Sequence, residues 1–248
     1  MDFKLQDIEY DSNPFDHWII NDFLDVDTAR QASKEFIDYD YPTEEIIHYS
    51  GWIAEKKACN RWDRFPPLTY RIFSNLLSVD FVDYLSKITG IFPLYPDIGL
   101  HGGGWHMHGT GGNLNVHKDY SVHPKLGLRR KLNLIVYLSE NWNPEWGGAI
   151  EFWSHNEQNN RPLALEKSID CMYNRAVLFD TTQNSWHGLP TPLTCPKGKY
   201  RKSIAMYYLT DADGDEEVRK RALFAPRKEQ ENDPNVLELI KERTKCTK

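Results

Sequence analysis

Mainly β with flanking helices is the fold class this sequence predicts, and three observations carry it. The first ninety residues are mostly periodic in the manner of helices. From residue 99 onward, short strand-like runs alternate with turns rich in Gly, Pro and Asn. Aromatic residues make up 13% of the chain, which suits a sheet-based core or an aromatic-lined pocket. Several strands at modest spacing point to a β-sandwich or barrel. A chain of 248 residues can form one large domain or two small ones.

In chain order, FLDVDTARQASKEFIDY (23–39) predicts a helix with Asp25 and Asp27 as candidate caps. PPLTYRIFSNLLS (66–78) begins with proline at a helix start and keeps Leu68, Ile72, Leu76 and Leu77 on one side. VDFVDYLSKITG (79–90) is a third helix that stops at Gly90. Between the first two, HYSGWIAEKKACNRWDRFP (48–66) has no period and reads either as a lid or as a surface loop. The strand-like runs are GWHMHG, LNLIVYLSE, GGAIEFW, RAVLFDT and YRKSIAMYYLT. From Asp211 the chain is dense in charge, with an apolar patch, VLELI (236–240), compatible with a terminal helix. DADGDEE (211–217) starts like a calcium loop, but its twelfth position is Ala222, so a solvated charge run is the better reading.

Composition narrows the functional classes. A net charge of −6 argues mildly against broad nucleic-acid binding, which needs a basic face. No run of about 18 apolar residues exists, so no membrane span is expected. The acidic start MDFKLQDIEYDSN has no apolar signal core, and Cys59, Cys171, Cys195 and Cys246 form no CxxC pair. Reduced thiols in a cytoplasmic protein are the expectation.

The chemistry concentrates in NVHKDYSVHP (115–124). His117 and Asp119 stand two apart, so on a strand both project to one side and can converge on one ion. His187, in SWHGLP after the run RAVLFDT, supplies a third ligand. Two histidines and a carboxylate leave three positions open on ferrous iron, although a zinc hydrolase can use the same set. In YRKSIAMYYLT, Arg201, Ser203, Ala205 and Tyr207 share one strand face, with Lys202, Ile204 and Met206 on the other. An arginine buried beside a serine is costly unless an anion meets it, and a dicarboxylate co-substrate would do so.

HxD, a distal histidine and an RxS strand together resemble the Fe(II)/2-oxoglutarate-dependent dioxygenase superfamily, most closely its prolyl 4-hydroxylase-like branch. The similarity runs over roughly residues 99–210. KLNLIVYLSENWNPEWGGAIEFW is similar to that family's strand, turn and GG-strand block, and PFDHWIINDFL (14–24) is a fainter match. The resemblance implies a double-stranded β-helix, or jelly roll, with N-terminal helices packed on one sheet. On that reading residues 1–248 are one oxygenase domain: a helical part over about 14–90, a core over about 99–210 and a charged tail from 211 to 248.

It further implies that His117, Asp119 and His187 hold Fe(II), that Arg201 pairs with the distal carboxylate of 2-oxoglutarate, and that Tyr137 bonds the same group. Asn133 and Ile135 share the strand face of Tyr137, and Ser203 shares that of Arg201, so all line the co-substrate pocket. His106 and His108 alternate with Trp105 and Met107, and the histidines are preferred as the pocket-facing pair, where the family often carries a tyrosine. The interval from His187 to Arg201 is longer than usual in this branch, with Lys199 and Lys202 as fallbacks, although Lys202 has the wrong parity.

The implied reaction is hydroxylation of an unactivated C–H bond, consuming O2 and 2-oxoglutarate, releasing succinate and CO2, with ascorbate as a supporting reductant. The presence of Asp119 favours hydroxylation over halogenation. A cupin would want a glutamate after HMH, and the nucleic-acid demethylase branch a second arginine where Tyr207 stands. A non-enzymatic metal- or sugar-binding jelly roll needs neither the complete triad nor the arginine. The substrate implied is a prolyl residue or proline-like compound, small-molecule or peptide, the alternative being a small anionic metabolite. His123 reads as a loop or substrate-side residue, and Tyr207 as a pocket residue. LRRK (128–131), with Arg129 and Arg130, is either a solvated turn or part of a pocket mouth favouring an anionic group. Trp52 and Trp62 are candidates to close over a ligand.

Overall fold

The computed structural model describes residues 3, 7–36, 47–48, 52–214 and 218–245. Its strands begin with β1 (Glu9–Asp11), β2 (His17–Ile20), β3 (Ile47–His48), β4 (Ala54–Glu55), β5 (Lys57–Cys59), β6 (Tyr95–Pro96), β7 (Gly104–His108) and β8 (Asn113–Lys118). There follow β9 (Arg129–Tyr137), β10 (Ile150–Asn156), β11 (Arg161–Ile169), β12 (Ala176–Asp180), β13 (Trp186–Leu189), β14 (Arg201–Thr210) and β15 (Leu223–Phe224). The helices are α1 (Val26–Glu35), α2 (Pro67–Leu76), α3 (Val79–Thr89) and α4 (Pro234–Lys245).

Among the described residues the strands form two sheets. The major sheet runs β1-β2-β12-β9-β14-β7-β5-β3, with β6 on β14; the minor runs β11-β10-β13-β8-β15, with β4 on β8. All the pairings are antiparallel, as hairpin-rich connectivity allows.

Strand parity decides what each face buries. On β9, Leu132, Leu134 and Val136 point outward with Ile204, Met206 and Tyr208 of β14 and Trp105 and Met107 of β7. The helices cover that face with Ala29, Ala32, Leu68, Ile72, Phe73, Leu76, Phe81, Val82 and Leu85. Each of the larger aliphatic and aromatic side chains contributes about 1.5–3 kcal/mol on burial. The opposite face of the sheet meets the minor sheet through Phe15, Tyr137, Val177 and Phe179 against Ile150 and Phe152. Towards β7 and β8 the inward residues turn polar, and there the sheets part around a cavity.

The helices begin and end where local chemistry directs. Asp25 caps α1 by accepting from the Thr28 N–H, Pro67 opens α2, Ser78 caps α3, and Gly90 ends it in the left-handed conformation. The expected helix over 23–39 therefore spans 26–35, and residues 37–39 lie outside the described residues.

Three expectations change. Residues 52–66 are not a lid: β4 pairs with β8 of the minor sheet and β5 with β7 of the major sheet, so the segment crosses from one sheet to the other. Residues 49–51 lie outside the described residues. LRRK is not a turn, because Arg129 and Arg130 begin β9 and pair with Thr210 and Leu209. The C-terminal stretch is not only a charged tail. β15 pairs with β8, and α4 brings Val236 onto Ile53 and Phe224. None of the described helices is long and apolar enough to cross a membrane. Cys59, Cys171 and Cys195 are buried and unpaired, and Cys246 lies outside the described residues.

Candidate metal and co-substrate site

β8 and β13 lie side by side with His117 opposite His187, so the pairing register itself brings the two imidazoles together, ring centroids 4.4 Å apart. Asp119, just past the end of β8, completes the cluster: its Oδ1 is 3.6 Å from His117 Nε2 and its Oδ2 3.9 Å from His187 Nε2. One ligand atom from each of the three falls within 4.8 Å of the others, and all three residues are buried.

The donor set fits a divalent ion. His117 Nδ1–H donates to the Asn115 carbonyl and His187 Nδ1–H to that of Ser185, both at 2.9 Å. Each bond fixes a tautomer and leaves an Nε2 lone pair facing the centre, the usual outer support of a metal-binding histidine. Asp119 Oδ2 is buried with no hydrogen-bond partner among the described residues. Burial by itself would raise the Asp119 carboxyl, but Arg130 and the two imidazoles outweigh it and hold the group well below the usual carboxylate range. Burial and the neighbouring His117 push His187 down to about 4, against the pull of Asp119, so it is neutral at pH 7. No proton has to leave before it binds a metal.

The triad faces a cavity of about 340 Å³ whose far wall is the inner face of the major sheet. There Arg201 pairs with His108, and Ser203 lies between His106 and Tyr137. Arg201, Ser203, Asn133, Ile135, His106, His108 and Tyr207 all line the cavity. Arg201 Nε donates to the Gly148 carbonyl at 2.7 Å, and its guanidinium lies 4.8 Å from the centre of the Tyr137 ring. Gly148 has φ +97°, and a Cβ there would meet Arg201 Cδ at 3.0 Å, so the arginine passes where only glycine leaves room.

Tyr137 Oη and both ring nitrogens of His108 are buried without partners among the described residues. Burial raises Tyr137 to about 12, so it stays a neutral donor, and burial together with Arg201 holds His108 well below its usual value. A bound carboxylate would satisfy these orphaned donors together with Arg201.

A family model described as the 2OG-Fe(II) oxygenase superfamily matches residues 103–225, the stretch holding the triad, Tyr137 and Arg201. Over residues 103–225 the chain belongs to the 2OG-Fe(II) oxygenase superfamily. That family is described by Fe(II) and 2-oxoglutarate, and the His117–Asp119–His187 cluster is the chain's candidate iron site. It is 24% identical over 186 residues to a Mus musculus protein named prolyl 3-hydroxylase OGFOD1, a match over 75% of this chain and 31% of that one. The oxygenase thus spans about a third of the length of that relative.

Among solved structures it is similar to a Pseudomonas putida prolyl-4-hydroxylase (TM-score 0.56, 15% identity, covering 78% of this chain and 92% of that one). It is also similar to HygX from Streptomyces hygroscopicus with nickel, 2-oxoglutarate and hygromycin B bound (TM-score 0.51, 15% identity, 78% and 82% covered). These likenesses show the fold, a double-stranded β-helix with helices on one sheet.

The oxygenase places the remaining sequence candidates unevenly. Arg130 is buried beside the triad, not in a solvated turn. Its guanidinium lies between the rings of Tyr120 and Tyr207, 3.2 and 3.4 Å from their centroids, with Nη1 3.5 Å from Asp119 Oδ1. Tyr207 Oη accepts from Asn133 Nδ2 at 3.0 Å. Arg129 stands at the surface against Asp213, because on a strand it has the opposite parity to Arg130.

His123 lies off the cavity. Its Nδ1 accepts the N–H groups of Lys125 and Leu126, and its Nε2 is 3.6 Å from Asp97. Trp62 packs with Phe65, Tyr70 and Phe73 under the helices and donates to Ile98 O, while Trp52 is half exposed; neither lines the cavity. Lys202 Nζ donates to Ser33 O on the helical side, and Lys199 is exposed, so neither replaces Arg201.

Sequence reasoning missed Lys56, Phe224, Lys220, Arg221 and Arg243, all of which line the cavity. Phe224 stacks on His117 at 4.9 Å. Lys56 sits at the crossing between β4 and β5, where burial and Arg201 push it down to about 8 against the pull of Asp119. No local pattern signals any of them, because each reaches the cavity through a crossing or a returning terminal segment.

Proposed function

We propose that the chain is a hydroxylase that uses Fe(II), O2 and 2-oxoglutarate to oxidise an unactivated C–H bond of a prolyl or proline-like substrate. One substrate C–H becomes C–OH, while 2-oxoglutarate and O2 become succinate and CO2. The observation carrying this reading is that one cavity holds both the three-donor cluster and Arg201, in a chain of this superfamily.

Iron held by His117, Asp119 and His187 would supply the activation of O2. The protein's own work is positioning and exclusion. Arg201 would clamp the distal carboxylate of 2-oxoglutarate, with Tyr137 and His108 completing its hydrogen bonds. Asn133 and Ile135 shape the wall beneath it, and Phe224 covers one side of His117. Arg130 holds the Asp119 carboxylate from behind and keeps it ionised. The prolyl choice rests on the similarity to proteins named prolyl hydroxylases.

The test is succinate release by iron-loaded protein with a panel of prolyl peptides and free proline. Release above the substrate-free level by at least one of them is expected. If iron and 2-oxoglutarate bind but no proline compound stimulates turnover, the prolyl assignment falls and the oxygenase reading stands.

A further inference from the structure

The cavity is far more basic than the protein that encloses it. The chain carries a net charge of −6, yet Lys56, Arg130, Arg201, Lys220, Arg221 and Arg243 line the cavity, with Asp119 the one carboxylate among the described lining residues. Arg130 is matched by Asp119 at 3.5 Å. An Fe(II) ion and a 2-oxoglutarate dianion cancel each other's charge, so binding both leaves the excess of positive charge untouched. Charge of one sign lining a cleft with low-dielectric walls focuses its field on whatever enters.

The placement of these cations is built into the topology. Lys56 stands where the chain crosses between sheets, in the wall beside His106 and His108. Lys220 and Arg221 immediately precede β15, whose Phe224 is in register with His117. Arg243, on α4, lies over the ring of that same Phe224, 5.2 Å from its centroid. The C-terminal segment therefore brings three cations to the cavity wall around Phe224, which stacks on His117.

We propose that the primary substrate is anionic, bound at the cavity mouth by Lys220, Arg221 and Arg243 and at the wall by Lys56. This rests on the hydroxylase reading and names the substrate class for the same site. The shared chemistry is a carboxylate or phosphate close to the C–H bond that reacts, carried by an acidic peptide flank or by a small metabolite.

The test uses full-length protein loaded with Zn(II) and N-oxalylglycine, an unreactive analogue of 2-oxoglutarate. Its probes are a fluorescein-labelled proline peptide flanked by glutamates, the same peptide flanked by glutamines, and unlabelled citrate and inorganic phosphate as competitors. The acidic peptide should bind about tenfold or more tightly than the neutral one, with the difference shrinking as salt rises. Displacement of the peptide by citrate or phosphate would assign the rim to small anions as well. In Lys220→Glu/Arg221→Glu, whose altered residues are exposed, the preference should vanish while the unfolding midpoint stays unchanged. If no anionic probe binds wild type more tightly than that variant, the proposal is overturned. A loss of 2-oxoglutarate binding in wild type would instead count against the hydroxylase reading.

Discussion

As a proposed iron ligand, Asp119 has two demands to meet: staying ionised in a buried place and presenting an oxygen to a metal. Arg130, held flat between Tyr120 and Tyr207, answers the first, and the orphaned Oδ2 answers the second. Asp119→Ala should therefore lose Fe(II), while His123→Ala keeps it because that ring faces Asp97. Iron stoichiometry after anaerobic loading decides this, and full iron in Asp119→Ala would refute the assignment. At the other end of the cavity, Arg201→Ala should weaken 2-oxoglutarate binding by about 2–5 kcal/mol, as when one partner of a buried charge pair is removed. Tyr137→Phe removes one hydrogen bond to charge and should cost about 1.5–3 kcal/mol. Calorimetric titration measures both, and an unchanged affinity in Arg201→Ala would show that another group clamps the anion.

Between elements, close approach sets what can vary. Gly104 has φ +99°, and a Cβ there would lie 2.2 Å from Cys59 O, so β5 rests on β7 where no side chain fits. Gly104→Ala should separate the two strands and cost about 1–3 kcal/mol in unfolding free energy, read by urea titration. Because residues 52–66 are tied into both sheets, they should resist proteolysis equally with and without ligands. Ligand-dependent cleavage there would restore the lid.

Lys167 of β11 reaches Asp11 of β1 at 2.6 Å, joining the edges of the two sheets. The lysine, then a backbone N–H, lowers the Asp11 carboxyl to about 2. A depressed folded value means that the stabilisation is present above the ordinary carboxylate pKa and is lost as pH falls through about 2. The pair is partly exposed, so Lys167→Met should cost at most about 1 kcal/mol at neutral pH. The gap from wild type should narrow towards pH 3, and a gap that widens there would contradict the pairing.

Over the whole molecule, the C-terminal return is what joins fold to site. β15 pairs with β8, α4 packs on β15, and the Phe224 ring meets both Arg243 and the His117 ring. Phe224→Ala should lower stability by about 3 kcal/mol, the low end for a core phenylalanine, and speed iron loss to a chelator. Unchanged stability and unchanged iron release together would mean that the terminal segment is only an appendage. The same return helps an acidic chain enclose a basic cavity: among the described lining residues Asp119 is the one carboxylate, while Lys220, Arg221 and Arg243 join Lys56, Arg130 and Arg201 there.

What the sequence determined by itself was whatever a short period can encode. Strand parity in YRKSIAMYYLT separated Arg201, Ser203 and Tyr207 from Lys202, and parity in GWHMH turned His106 and His108 inward. Capping chemistry at Asp25, Pro67 and Gly90 located three helices within a few residues. HxD placed two donors on one side of a strand because alternation is a property of the backbone. Only the tertiary structure decided which distant segments share the cavity. The turn reading of LRRK and the lid or loop reading of 48–66 failed because pairing partners far along the chain, Thr210 for Arg129 and Met107 for Lys57, turned apparent loops into strands. Lys56, Lys220, Arg221 and Arg243 had no local mark at all: a cation on a crossing or a returning helix has the same neighbours in sequence whether it faces water or a ligand, and only long-range pairing chooses between them.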